Sequence, residues 1–521
     1  MLPFLRRRRR RVRLRSKFYL TTAIDYANAR PHLGTAYEKI GADVLSRFHR
    51  LVGDDVYFQM GNDEHSTNVE KRARELGLDP KEYCDKMSEA FLGVWRALKV
   101  EPDRFIRTTD SDHVQTVQAL LERMRANGDI FSDTYEGLYC ISCEAYIKEG
   151  DLADGLCPHH KQPPQRLKEE NLFFRLSRYT QRLLEHFRED PSFVLPSSRY
   201  NELLEILDRG LEDISISRKG KGWGIPIPWD PSQRVYVWVD ALINYVSGAG
   251  FMVDPARFSR VWPCDLHIVG KDITRFHGII WPAILLSAGL ALPKRVFGHG
   301  FVRMAGQKLS KTLGGTLDIQ GLLKTYPSDA LRYFLMREIP FERDGDFSEE
   351  RLLERYNADL ANDLGNLLQR VSTLLERQED GTIPAGMEPE SALFDDFRLL
   401  KNRVEEGYRS LMFHQALAEV FGWVSRLNGY MAEQAPWTIY RSSDTSKARR
   451  TLANVVGGLK AAFVWLLPVM PTKAAEGLKQ IGVDPGGTPD PLWSLTGETN
   501  WLFSSGRLGQ TRMLFPRILE A

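Results

Sequence analysis

The chain has 521 residues, 43% of them hydrophobic and 26% charged, the balance of a globular protein of about three or four domains. That excludes a disordered, collagenous or disulfide-framework protein, and no apolar run reaches the ~18 residues a membrane-spanning helix needs. The formal net charge is +2, but residues 1–16 hold eight arginines and no acid. The remainder is therefore mildly acidic, and any nucleic-acid contact depends on local patches rather than a global field.

The arginine block lacks the apolar centre of a secretory signal and reads as a solvated, disordered basic tail with a weak attraction for RNA, an organellar transit peptide being the alternative. Next, KFYLTTA (17–23) predicts a buried strand. A loop with Pro31 leads to apolar residues at helical spacing from Leu33 to Leu51, and Val56–Met60 predicts a second strand. Strand, loop, helix, strand opens a parallel α/β sheet. Residues 65–127 are largely helical in pattern, and 131–235 turn to short strands, turns, cysteines and prolines, as in an inserted domain. Strand patterns return at Arg234–Val239, Leu266–Val269 and Arg295–Phe297, with a helical stretch after Phe276. From about residue 350 the spacing predicts helices almost to the end, broken by a Gly- and Pro-rich linker at Gly381–Pro389.

Pro31-His32-Leu33-Gly34 falls between the first strand and its helix, where open α/β sheets bind ligands. Free N–H groups at a helix start favour a phosphate, Gly34 allows close approach and His32 can donate. By itself the motif equally describes a helix-start histidine without a ligand. In GQKLSKTLGG, Lys308 and Lys311 flank Ser310 in a glycine-bordered loop suited to closing on polyphosphate; alone it is a solvated charged loop. Of the five cysteines, Cys140-x2-Cys143 and Cys157, followed by the pair His159-His160, have the spacing of a tetrahedral zinc knuckle. Cys84 and Cys264 read as buried thiols. Five cysteines in so long a chain indicate a reducing compartment.

HLGT and KLSKT together resemble the paired signatures of class I aminoacyl-tRNA synthetases. TTAIDYANARPHLG, GNDEHS, GLYCISCEAYI, WGIPIPW, YVWVDALINYVS, HIVGKDITRFHGIIWPA, DALRYFLMREIP, ADLANDLGNLLQR and EQAPW narrow this to the methionyl-tRNA synthetase family, in the bacterial form with one zinc knuckle. The resemblance runs over residues 17–437. It implies an α/β fold with a Rossmann-type catalytic domain in two halves (17–130 and 236–300) around a connective domain with the knuckle (131–235). A segment with the KLSKT loop (301–350) and an all-α anticodon-binding bundle (351–521) complete it. One departure is Thr35, where the first signature normally ends in a second histidine; threonine can donate to phosphate but carries no charge, which bears on rate more than on the reaction.

The implied activity is ATP-dependent formation of methionyl-adenylate, then transfer of methionine to the terminal adenosine of initiator and elongator tRNA(Met). By resemblance, His32, Thr35, Lys308 and Lys311 are catalytic, and Gly34, Gly270 and Ser310 join His32, Lys308 and Lys311 around ATP and its Mg²⁺. The methionine site is Ile24, Tyr26, Asp63, Trp238, Leu242, Tyr245, Asp272, Phe276 and His277, with Asp63 for the ammonium group and Tyr26 and His277 checking the sulfur; homocysteine is the expected near-cognate error. One structural zinc ion takes Cys140, Cys143, Cys157 and His160. Asn366, Arg370 and Trp437 read the anticodon. The resemblance further implies a cytoplasmic enzyme, without membrane contact. A monomer is expected, since no dimerising module is visible after the helices. The competing readings are a tRNA-binding paralogue without catalysis, a synthetase for another apolar amino acid and a small nucleotidyltransferase.

Overall fold

The computed structural model describes residues 16–140, 145–147, 149–158, 161–220, 222–304, 307–308, 318–441, 444–487 and 491–519. The first half of the sheet region runs β1 (Lys17–Thr22), β2 (Asp25–Tyr26), α1 (Leu33–Val52), β3 (Asp55–Asp63), α2 (Thr67–Glu75), α3 (Pro80–Ala97), β4 (Arg104–Arg107) and α4 (Ser111–Ala126). Then come β5 (Ile130–Cys140), β6 (Ala145–Ile147), β7 (Gln165–Phe174), α5 (Thr180–Glu189), β8 (Val194–Leu195), α6 (Ser197–Asp208), β9 (Ile214–Ser215), β10 (Ser217–Lys219), β11 (Pro226–Ile227) and β12 (Asp230–Val235). The sheet resumes through α7 (Val237–Gly248), α8 (Pro255–Val261), β13 (Leu266–Gly270), α9 (Trp281–Ser287) and β14 (Val296–His299). After β15 (Val302–Met304), β16 (Gln307–Lys308), α10 (Ile319–Thr325), α11 (Ser328–Glu338) and β17 (Gly345–Asp346), the chain is helical: α12 (Glu349–Arg355), α13 (Asn366–Glu379), α14 (Ser391–Arg409), α15 (Phe413–Gln434), α16 (Pro436–Ile439), α17 (Ser446–Leu466) and α18 (Pro471–Gln480).

The main sheet is parallel, in the order β4-β3-β1-β13-β14-β8, with β2 prolonging the pairing along the end of β3. The expected parallel α/β sheet and helical C-terminal region are both present. β1 pairs with β3, its successor through α1, and with β13, more than two hundred residues later. Strand order therefore reverses between β1 and β13, and a crevice opens at their carboxyl ends. β5, β6, β7 and β9 form a separate antiparallel sheet. β8, from the 131–235 stretch, adds the outer strand beside β14.

Three elements differ from expectation. Arg234–Val239 is not one strand: β12 ends at Val235 and α7 begins at Val237, since a short apolar run does not by itself distinguish strand from helix. β4 interrupts the expected helices; it is a four-residue edge strand bracketed by arginines. Among the described residues beyond Gln480 the chain is irregular apart from two short 3₁₀ turns, yet it buries Trp501 and Phe515 against the bundle.

α1 links the two parts of the molecule. One face packs on the sheet, and the other meets α11, α14 and the segment after α18 within one continuous apolar core. Glu38, Lys39 and Asp43 on α1 are consequently buried.

Candidate functional site

The crevice is built from four strand ends. β1 runs into Ala23–Tyr26 and then α1; β3 ends at Asp63; β13 ends at Gly270; β14 ends at His299. Tyr26 is in register with Asp63. A Cβ on Gly270 would lie 2.7 Å from Asp272 Oδ1, so any other residue here would push the Asp272 carboxylate aside.

At the start of α1, His32 is the N-cap. Its Nδ1 accepts from the Thr35 N–H at 3.2 Å, which leaves the ring proton on Nε2, 3.5 Å from Thr35 Oγ1. A Cβ on Gly34 would lie 3.0 Å from the ring, so this glycine lets the imidazole fold back over the first turn. Thr35, in the place of an expected histidine, thus stands directly against His32.

Trp238, Leu242 and Tyr245 recur at positions i, i+4 and i+7 of α7 and share one face. Trp238 stacks on Phe276 with centroids 4.1 Å apart, and Tyr26 meets the indole edge-on at 6.2 Å. The indole Nε1 is buried without a hydrogen-bond partner among the described residues. His277, in a π-helical turn (Phe276–Ile280), has Nδ1 3.0 Å from the Ile273 carbonyl and Nε2 2.6 Å from the Tyr245 hydroxyl. A carbonyl only accepts, so the proton sits on Nδ1 and Nε2 accepts from Tyr245. Burial pushes His277 down to about 4, so the ring is uncharged near neutrality. Behind it, His267 bonds to Thr21 at 2.6 Å and accepts from Trp281 Nε1 at 3.2 Å; burial and His277 hold it well below its ordinary value.

Beneath this wall lie charged groups that the sequence does not announce. Asp240, on α7, accepts from His65 at 2.8 Å and His113 at 2.6 Å. Burial alone would raise its carboxyl, but the two imidazoles outweigh burial and hold it below the usual range. Glu64 receives a forked pair from Arg107 at 2.7 and 3.1 Å. On α1, the Lys39 ammonium contacts the Ala23 carbonyl at 2.6 Å, Glu38 at 2.5 Å and Asp25 at 3.2 Å. Glu38 also meets His299 Nε2 at 2.8 Å. Despite burial, Lys39 and His299 lower Glu38 to about 2, and Asp25 and Glu38 raise Lys39. The only signal in the sequence is charge inside an otherwise apolar-patterned helix, and the burial of those charges is not visible in α1's own spacing.

The segment leading to the lysine loop is pinned by Asp344, which bonds Lys271 at 2.7 Å, the Phe301 N–H at 2.9 Å and Arg303. Lys308 pairs through its backbone with Arg303 across β15 and β16. Ser310 and Lys311 lie outside the described residues, as do residues 1–15 of the basic tail.

Of the zinc-ligand candidates, Cys140 ends β5 and Cys157 starts a tight turn; both are buried. The Cys157 carbonyl accepts from Lys161 N at 2.8 Å, and its N–H donates to the Gln162 carbonyl at 2.9 Å. Cys143 and His160 lie outside the described residues, and no group of three or more metal-ligating side chains occurs among the described ones. Buried sulfurs on a strand end and a tight turn fit a thiophilic ion.

In the helical region, Asn366 and Arg370 are exposed, one turn apart on α13. The Arg370 guanidinium lies over the Trp437 ring at 5.5 Å, and Trp437, on α16, is 40% exposed.

The family model "tRNA synthetases class I (M)" matches residues 18–166 and 148–372. The Methionine--tRNA ligase of Thermotoga maritima is 42% identical over 481 residues, covering 90% of this chain and 76% of that relative. Its counterpart from Thermosynechococcus vestitus is 41% identical over 516 residues, covering 96% and 98%. Among solved structures, Mycobacterium tuberculosis methionyl-tRNA synthetase in complex with methionyl-adenylate superposes with a TM-score of 0.92 at 39% identity, over 96% of this chain and 100% of that one.

Proposed function

The chain belongs to the methionine--tRNA ligase family of class I tRNA synthetases, and from that premise we propose how its residues divide the work. The reaction is activation of L-methionine by ATP followed by charging of tRNA. In the first step the methionine carboxylate attacks the α-phosphate, an O–P bond forms and pyrophosphate leaves. The protein contributes alignment and charge stabilisation rather than a covalent nucleophile.

Asp63 pairs with the substrate ammonium. Ile24, Tyr26, Trp238, Leu242 and Phe276 enclose the apolar side chain, and Asp272 helps to hold the substrates together. The uncharged Tyr245–His277 pair faces the sulfur, which suits a polarizable thioether better than an ion would. His32 Nε2–H, the Thr35 hydroxyl and the N–H groups at the start of α1 donate to phosphate, with Gly34 and Gly270 admitting the nucleotide. Lys308, Ser310 and Lys311 close on the polyphosphate, and Mg²⁺ arriving with ATP neutralises part of its charge. In the second step the terminal ribose hydroxyl of tRNA(Met), initiator or elongator, attacks the adenylate's carbonyl carbon; the ester bond forms, the mixed-anhydride C–O bond breaks, and AMP leaves with the hydroxyl proton released. Arg370, Asn366 and Trp437 offer stacking and edge contacts to unpaired anticodon bases. Cys140, Cys143, Cys157 and His160 would hold one zinc ion, whose contribution is structural. We place the enzyme in the cytoplasm; no helix among the described residues is long and apolar enough to cross a membrane.

The observation that carries this reading is an aromatic cluster, Trp238 stacked on Phe276 with Tyr26 edge-on, beside an uncharged His277–Tyr245 pair near the carboxyl ends of β1 and β13. The test is methionine-dependent ATP–pyrophosphate exchange, with leucine, isoleucine, valine and cysteine as controls and Lys311→Ala beside the wild type. Exchange with methionine alone, lost in the variant, is expected. Exchange with another amino acid refutes the pocket assignment. No exchange in protein that still binds tRNA refutes the enzyme reading.

A further inference from the structure

We propose that Lys39 is a positioning residue for methionine recognition, holding the Ala23–Tyr26 segment so that Ile24 and Tyr26 keep their place in the pocket wall. The proposal rests on the assignment of those two residues to that wall.

Lys39 lies four residues after Thr35 on α1 and is 0% exposed. The Lys39 ammonium donates hydrogen bonds to the Ala23 carbonyl at 2.6 Å and to Glu38 Oε1 at 2.5 Å, and it forms an ion pair with Asp25 Oδ2 at 3.2 Å. Two of these contacts belong to the segment in question: the Ala23 main-chain carbonyl and the Asp25 side chain. In an extended segment alternate side chains turn to opposite sides, so the Asp25 side chain turns away from those of Ile24 and Tyr26. Tyr26 accordingly reaches the Trp238 edge at 6.2 Å while Asp25 turns to Lys39. The ammonium is itself anchored, because Glu38 bonds through its second oxygen to His299 at 2.8 Å, and His299 lies 2.7 Å from the Gly300 carbonyl. A line of polar groups thus crosses beneath the crevice from the end of β14 to the end of β1, and Lys39 is its contact with the pocket wall.

A buried ion pair is weak evidence of stabilisation, since apolar replacement of the whole set is frequently neutral. Its position beside two wall residues is better explained by geometry, because a displacement of about 1 Å at a reacting or binding group can cost large factors in rate. The expected signature is therefore selective: methionine recognition suffers and ATP recognition does not.

The experiment compares Lys39→Met with a neutral triple variant, Lys39→Met/Asp25→Asn/Glu38→Gln, which removes the hold without stranding two buried carboxylates. Tyr26→Ala serves as the direct lesion in the wall. In pyrophosphate exchange, the Lys39 variants are expected to raise KM for methionine by about tenfold or more while KM for ATP moves less than about threefold. The kcat/KM preference for methionine over homocysteine falls with it. If Lys39→Met does not fold, the triple variant decides. Wild-type KM for methionine in the triple variant overturns the proposal, as does an equal rise in both KM values. If Tyr26→Ala raises KM for methionine and the Lys39 variants do not, only the role of Lys39 falls. If none of the three moves it, the wall assignment falls as well.

Discussion

The buried, uncharged His277 makes stability depend on pH in a way that one substitution isolates. Burial lowers this histidine from 6.5 in the open chain to about 4 in the folded protein. Between those values the unfolded state binds the extra proton, so acidification favours unfolding and stability rises with pH. The penalty is nearly absent at pH 7 and grows as pH falls through 6.5 toward 4. Each pH step of one between those two values is worth about 1.36 kcal/mol, so moving from pH 7 to pH 5 costs about 2 kcal/mol through this residue alone. Depressed carboxylates such as Glu38, at about 2, act at lower pH and do not confuse the interval. His277→Gln retains an acceptor for Tyr245 and removes the titration. Urea unfolding at pH 7 and pH 5 should therefore show a loss in the wild type that exceeds the variant's loss by about 2 kcal/mol. Equal losses in the two proteins would refute the inference that the ring is buried in its neutral form.

Arg332 uses its five N–H groups on Asp43 at 2.7 Å and on the carbonyls of Leu98, Lys99, Pro468 and Val469. Arg332→Met should destabilise by ~3–5 kcal/mol, the cost of breaking a buried pair, as read from urea midpoints; a loss below about 1 kcal/mol would contradict that account. Trp437→Ala should raise KM for tRNA(Met) in aminoacylation by the equivalent of ~1–3 kcal/mol for a lost stacked base, with methionine-dependent exchange as the tRNA-free comparison; an unaltered KM would remove Trp437 from the interface. Metal analysis should find about one zinc per chain, and Cys157→Ala should lose it; retention of the full zinc content would exclude that ligand set.

The spacing of apolar residues located β1, α1, β3 and β13, because the strands are short apolar runs buried on both faces and α1 keeps its apolar residues at helical spacing. It misread Arg234–Val239, where the apolar run continues from a strand end into α7. The candidate site residues can be named as a set only through motifs that follow one another in order along the chain; spacing alone leaves His32 equally a helix start without a ligand. The Arg370–Trp437 contact joins residues that the sequence could name but not bring together.

The information readable along the chain is therefore local: most element types, His32 and Gly34 at the start of α1, the cysteine spacing, and the motifs that mark the family. The tertiary structure alone decided which charges are buried. Helical periodicity reports one apolar face, whereas α1 is covered by the sheet on one side and by the helical region on the other. Glu38, Lys39 and Asp43 can lie inside such a helix because their partners arrive from His299, Asp25 and Arg332, the last 289 residues away. A buried charge is tolerable only when its counter-charge is in place, and that pairing exists only in the folded chain.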